Sequence, residues 1–249
     1  MSDPLAEVTE DRLLGGAVRL LQLRRGHRAG TDAVLLAGLV EATPGDIVAD
    51  LGAATGAVGL MVAARQPDVR ILLVEREPVL AAIADRNVVL NGLGERARVI
   101  LADLFAPKSA RREAGLEAGM VDLVLTNPPF FEGVTRPSPE PGRRSAHVME
   151  GGKLAEWLAA AANLLRHRGR LALIYRADGL ARCLAALGRH FGSVLLTPIY
   201  PREGEPATRI VVQAVKGGRA PLRIAPALIL HAPGGGFTAA AERLHGPPA

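Results

Sequence analysis

Short, almost uninterrupted apolar runs separated by Ala- and Leu-rich stretches constrain this chain more than any other feature. The runs fall at 47–51, 71–75, 99–101, 121–126, 171–175, 194–199 and 210–215. The first four are too short for helices and apolar at nearly every position, as strands must be when both faces of their sheet are covered. Helix-prone segments such as 80–90 lie between them. This alternation predicts an α/β fold built on a doubly wound, seven-stranded sheet. Only the turn-rich 201–206 separates the last two runs, so they are expected to pair antiparallel at one edge.

Three regions follow from this pattern. Residues 1–45 form a leader, 46–218 the sheet domain, and 219–249 an extension packed on the same domain, with 222–231 extended. In the leader, Thr31 or Asp32 is placed to cap a helix over 33–41. In the extension, Gly234, Gly235 and Gly236 break the chain before Thr238, which is placed to cap a last helix from Ala239.

Composition removes several classes. A chain 49% hydrophobic and 22% charged is neither disordered nor fibrous. It has no apolar run of bilayer length, and Asp3, Glu7, Glu10 and Asp11 do not suit a secretory leader. One cysteine, Cys183, allows neither an internal disulfide nor a cysteine-based zinc site. Its Ala/Leu-rich surroundings read as a buried, inert thiol. These features together point to a cytoplasmic protein with no membrane partner and no metal. The net charge of +5 suits an anionic partner such as RNA, and is also ordinary for an enzyme. Aromatic residues at 3% are too few for a base-stacking array, and Trp157 and Tyr175 fall inside a helix and a strand as core residues.

The segment Asp50-Leu51-Gly52-Ala53-Ala54-Thr55-Gly56 follows a buried run and opens a helix. Glycines at such a position let the backbone turn tightly and approach a ligand. Glu75 ends the next run, where a carboxylate can accept hydrogen bonds from ribose hydroxyls. Asp50, Gly52, Ala54, Gly56 and Glu75 are therefore candidate contacts for an adenosine-containing ligand. A nicotinamide dinucleotide and S-adenosyl-L-methionine both qualify. Asp103, after the third run, either accepts from the adenine amine or caps a turn.

The fourth run leads straight into Asn127-Pro128-Pro129-Phe130. Two prolines fix the backbone and remove two donors, leaving the Asn side chain and carbonyl oxygens as rigid acceptors beside a flat ring. Two acceptors can draw both N–H bonds of a conjugated amine out of plane, which localises the nitrogen lone pair for attack. Asn127, Pro128, Pro129 and Phe130 are the candidate catalytic group. An ordinary strand-terminating turn with a core Phe is the competing reading.

In this order and spacing, these residues resemble the class I S-adenosylmethionine-dependent methyltransferases of the small-domain group. The leader segment Gly30-Thr31-Asp32-Ala33-Val34-Leu35-Leu36 is similar to that of the bacterial tRNA (adenine-37-N6)-methyltransferase family. The resemblance implies a Rossmann-like sheet, S-adenosyl-L-methionine as cofactor, and an adenine of tRNA as acceptor. It gives Glu75 to the ribose, Asp103 to the adenine of the cofactor, and Asn127 to Phe130 to the acceptor base. It also folds the leader over the pocket, which makes Thr31 and Asp32 cofactor neighbours. The chain departs from the family pattern at Ala54, which replaces the middle glycine of the turn, and at Phe130, where many relatives have Tyr. Other readings remain open: a protein glutamine amide or guanine N2 as acceptor, small-molecule O-methylation, or a silent cofactor- or RNA-binding protein.

Three basic clusters are candidates for RNA. Arg24, Arg25 and Arg28, with His27, precede Gly30. Arg136, Arg143 and Arg144, with His147, follow the Asn-Pro-Pro-Phe motif in a Pro/Gly-rich stretch, where cations could hold phosphates beside an extruded base. Arg166, His167, Arg168 and Arg170 are expected at the far, amino edge of the sheet, complementing a helix that ends at Gly169.

Overall fold

The computed structural model describes residues 8–26, 28–129 and 152–246. The chain opens with an antiparallel hairpin, β1 (Val8–Leu13) and β2 (Val18–Leu23), which forms a sheet of its own. Then come α1 (Thr31–Leu39), β3 (Ile47–Leu51), α2 (Ala57–Arg65), β4 (Arg70–Glu75), α3 (Pro78–Leu90) and β5 (Ala97–Leu101). A short α4 (Lys108–Glu113) leads to β6 (Val121–Thr126), α5 (Gly152–Leu164) and β7 (Leu165–Arg176). The chain continues through α6 (Leu180–Leu187), β8 (Phe191–Tyr200), β9 (Arg209–Lys216), β10 (Arg223–Ile224), β11 (Leu228–Ile229) and α7 (Ala239–His245).

The seven expected strands are ordered β8-β9-β7-β6-β3-β4-β5, with β9 antiparallel to both β7 and β8. Two short additions make the sheet nine-stranded, because β10 and β11 each pair parallel with β8. They come from the extended part of the C-terminal region and cover part of an edge that a seven-stranded sheet would leave open.

Strands β3 and β6 serve both faces. Val48, Leu123 and Leu125 pack with α1, α2, α3 and the hairpin's Val18 and Leu20. Ala49, Leu51, Val121 and Val124 pack with α5 and α6. This two-sided burial is the physical basis of their near-continuous apolar sequence. Cys183 lies within the second cluster, and burial pushes its thiol up to about 12. No helix among the described residues is long and apolar enough to cross a membrane.

Three local expectations are corrected. Helix α1 starts two residues early, with Gly30 as its N-cap and no side-chain cap from Thr31 or Asp32; Asp32 instead accepts from Arg209 Nε at 3.0 Å. Helix α5 ends at Leu164, not Gly169. The basic residues after it belong to β7, where the register on β6 jumps from Val121↔Leu165 to Leu123↔Arg170. That irregularity brings Arg166 to Asp122 and Arg170 to Asp46 at the amino edge, and these acids, not a helix terminus, are their partners. By contrast, Thr238 does cap α7, accepting from Ala241 N at 3.2 Å. Helix α7 then lands on α1, where a Cβ at Gly38 would come within 2.9 Å of Leu244.

Candidate functional site

Strand β3 delivers Asp50 and Leu51 to the carboxyl edge, and the chain then turns sharply into α2. Gly52 and Gly56 take φ of +71° and +90°, which glycine alone adopts without cost. At Gly52 a Cβ would also lie 3.1 Å from the Trp157 ring, so the turn can sit directly on the indole only without a side chain. Ala54 holds φ +48° despite its methyl group, and its N–H donates to Glu75 Oε2 at 2.8 Å.

Glu75 is 7% exposed. Its Oε1 accepts from the Arg76 and Glu77 N–H groups at 2.8 and 2.9 Å. Three of the roughly four acceptor positions of a carboxylate are thus used by backbone, which leaves one for a ligand hydroxyl in this arrangement. Asp50 is 2% exposed and accepts from Gly59 N–H at 2.9 Å. Burial pushes its carboxyl up to about 7, against the lowering effect of the Gly59 bond and with a further rise from the Glu75 charge. Two neighbouring carboxylates held by backbone N–H groups make a site that favours a ligand bearing positive charge. The sulfonium and ammonium groups of S-adenosyl-L-methionine fit this pair of acceptors.

Asp103 is exposed just after β5, with Oδ1 accepting from Phe105 N at 2.9 Å. Capping the turn and facing a ligand are therefore compatible, since the second oxygen takes no part in that bond. Phe105 packs against Trp157 with ring centroids 5.8 Å apart. Trp157 Nε1 donates to Thr126 Oγ1 at 3.0 Å, and Thr126 in turn donates to the Leu51 carbonyl at 2.9 Å. One chain of contacts thus joins the ends of β3, β5 and β6 beneath the turn. Sequence reasoning placed Trp157 in the core and missed this bracing role. A single tryptophan on the helix after an Asn-Pro-Pro turn was the available signal.

Strand β6 pairs Thr126 with Leu51, so Asn127 emerges next to Gly52 at the same edge. Asn127 and Pro129 are half-buried and Pro128 is buried. Phe130, Arg136, Arg143 and Arg144, with His27 and His147, lie outside the described residues. Arg24 and Arg25 are exposed beyond β2. Arg28 is committed to the leader itself, donating to Thr9 Oγ1 and the Leu23 carbonyl at 2.8 Å and pairing with Asp11. Thr31 is exposed at the start of α1. The Asp32–Arg209 pair fixes that helix start over the carboxyl edge, because Arg209 faces Arg176 at the end of β7.

Residues 28–197 match the family described as the methyltransferase small domain. A tRNA1(Val) (adenine(37)-N6)-methyltransferase from Porphyromonas gingivalis is 31% identical over 61% of this chain and 60% of its own length. The chain thus aligns with less than two thirds of that relative. One of the same description from Aeromonas hydrophila is 30% identical over 78% of this chain and 79% of its own. A solved structure from Agrobacterium tumefaciens, described as a predicted O-methyltransferase, is 35% identical with a TM-score of 0.73. It covers 86% of this chain and 95% of its own.

Proposed function

The chain belongs to the methyltransferase small domain family, and from that premise we propose that it transfers a methyl group from S-adenosyl-L-methionine to N6 of an adenine in tRNA. The observation that carries this reading is the Leu51↔Thr126 pairing, which sets the Asn127-Pro128-Pro129 turn beside the glycine turn at one sheet edge. Donor and acceptor sites are then contiguous, as in-line transfer requires. The relatives named above for adenine N6 methylation support the acceptor, and a tRNA substrate is consistent with a cytoplasmic protein.

The Asp50 to Gly56 turn, Glu75 and Asp103 would hold the cofactor, which would supply a methyl group already activated by its positive sulfur. Asn127 Oδ1 and the Pro128 carbonyl accept the two N–H bonds of the target amine. That pulls the nitrogen lone pair out of conjugation and aims it at the methyl carbon. Transfer would exchange the cofactor's S–C bond for a new N–C bond, and the surplus proton would pass from nitrogen to water. Positioning and dipoles supply the catalysis, with no strong base involved. Arg24 and Arg25, exposed between β2 and α1, would meet tRNA phosphates.

Incubating the protein with labelled S-adenosyl-L-methionine and unmodified bulk tRNA, then analysing nucleosides by mass spectrometry, tests the reading. N6-methyladenosine is expected, and Asn127→Ala should reduce its rate about a hundred-fold. The Agrobacterium relative's description favours a second reading, O-methylation. A methyl group on a ribose or small-molecule oxygen, with none on adenine, would replace the first reading with the second.

A further inference from the structure

We infer that Asn87 is a positioning residue that couples occupancy of the cofactor turn to the N-terminal hairpin, and so links cofactor binding to RNA binding; the RNA half of this inference rests on the function proposed above. Asn87 is on α3, is fully buried, and lies among apolar neighbours of the first core cluster. A buried amide in such surroundings is costly unless all its bonds are made. Oδ1 accepts from Leu21 N at 2.7 Å, and Nδ2 donates to the Leu21 carbonyl at 3.0 Å and the Thr55 carbonyl at 2.9 Å. One side chain therefore holds β2 and the cofactor turn together.

One helical turn on, Asn91 repeats half of this arrangement. Its Oδ1 accepts from Arg19 N at 2.9 Å and its Nδ2 donates to the Arg19 carbonyl at 2.7 Å. The two amides, four residues apart on one helix face, take the backbone groups of alternate residues along the free edge of β2 and act as a substitute strand. Asn91 bonds to its own helix and the hairpin, whereas Asn87 alone reaches the cofactor turn.

The hairpin is oriented to pass a displacement onward. At one end Ala17 and Val18 line a cavity with Pro67, Leu93 and Arg96, in the loops that enter β4 and β5. At the other end Leu23 runs on to α1, whose start is held over the carboxyl edge by Asp32 and Arg209. Arg24 and Arg25 therefore sit at the edge that carries Asn127. Gln22, bonded to Asp11 at 2.8 Å and to Ala29 N at 2.6 Å, stiffens the path between them. A cofactor that orders Thr55 orders Leu21 through Asn87, and with it the exposed arginines beyond β2. By reciprocity, tRNA on those arginines tightens cofactor binding.

Amide hydrogen exchange and tRNA affinity, each measured with and without S-adenosylhomocysteine, test the coupling. In the wild-type protein the ligand should slow exchange across residues 18–26 and tighten tRNA binding, each on the order of five-fold or more. In Asn87→Ala the ligand should still bind but protection of 18–26 should disappear, while Asn91→Ala should retain it. Ligand binding to wild type with no change in hairpin exchange overturns the coupling, as does equal loss of protection in both variants. The wild-type comparison can still overturn the coupling even if Asn87→Ala does not fold. Hairpin protection that is lost only in Asn87→Ala, without any tRNA binding, would uphold Asn87 as the link and overturn only the RNA reading. A wild-type protein that does not bind the ligand overturns both.

Discussion

Ala54 carries a methyl group at φ +48°, a conformation that disfavours a side-chain-bearing residue by about 1–2 kcal/mol. Replacing it with glycine relieves that strain and frees the unfolded chain by about 0.4–1 kcal/mol, so Ala54→Gly should raise the melting temperature slightly. Cofactor affinity should rise, because the methyl is removed from the turn that approaches the ligand; titration calorimetry giving an equal or weaker affinity would show that the methyl faces elsewhere. Asp50 makes the site sensitive to pH. Burial holds its carboxyl near 7 when folded against an ordinary value of 3.8, so between those values the folded state holds a proton that the unfolded state has lost. The resulting stabilisation is fully present below about pH 4 and is lost as pH rises toward 7. Thermal melts of the cofactor-free protein should therefore decline over that window more steeply than those of Asp50→Asn. A cationic ligand favours the carboxylate, so affinity for S-adenosyl-L-methionine should increase as pH passes through 7, and a flat profile would place Asp50 outside the ligand's field.

At the scale of elements, the turn is braced from below by two helices that do not contain it. Helix α5 supplies Trp157, which reaches Leu51 through Thr126, and α3 supplies Asn87, which reaches Thr55. Thr126→Val keeps the shape of the side chain but removes the hydroxyl, leaving the indole N–H and the Leu51 carbonyl without that partner. Denaturant melts should show a loss of about 1–3 kcal/mol, and cofactor affinity should fall because Gly52 rests on the same indole. Retained affinity at reduced stability would separate the brace from the turn. The run 121–126 and the motif after it were readable as a strand and its end because both signals are local. The Trp157 contact joins residues 31 positions apart, a separation at which periodicity carries no information.

For the whole molecule, the decisive arrangement is that the leader runs up to the carboxyl edge of the sheet while the extension closes over the other end of α1. The hairpin spans from the loops entering β4 and β5 to the start of α1, and α7 returns from the extension to pack on α1. Basic residues divide between the two edges. Arg166 and Arg170 neutralise Asp122 and Asp46 on the far side, and Arg24 and Arg25 are exposed on the near side. If tRNA phosphates meet the near side, replacing Arg24 and Arg25 by alanine should reduce the slope of log affinity against log salt by roughly one unit per arginine. Arg168→Ala on the far edge should leave it unchanged; an equal effect from that variant would move the RNA path away from the hairpin.

The sequence by itself determined the elements and the residues that stand at their ends. Apolar runs of strand length, helix-prone segments between them, and Gly, Asn and Pro at the junctions act over a few residues, so the α/β class, the turn after Asp50 and the place of Asn127 were all legible. Tertiary structure alone decided which strand ends become neighbours. The insertion of β9 between β7 and β8, the addition of β10 and β11, the register jump that ends α5 at Leu164, and the reach of Asn87 to both Leu21 and Thr55 depend on contacts between distant segments. Such contacts form only once burial of two apolar faces has fixed the layers.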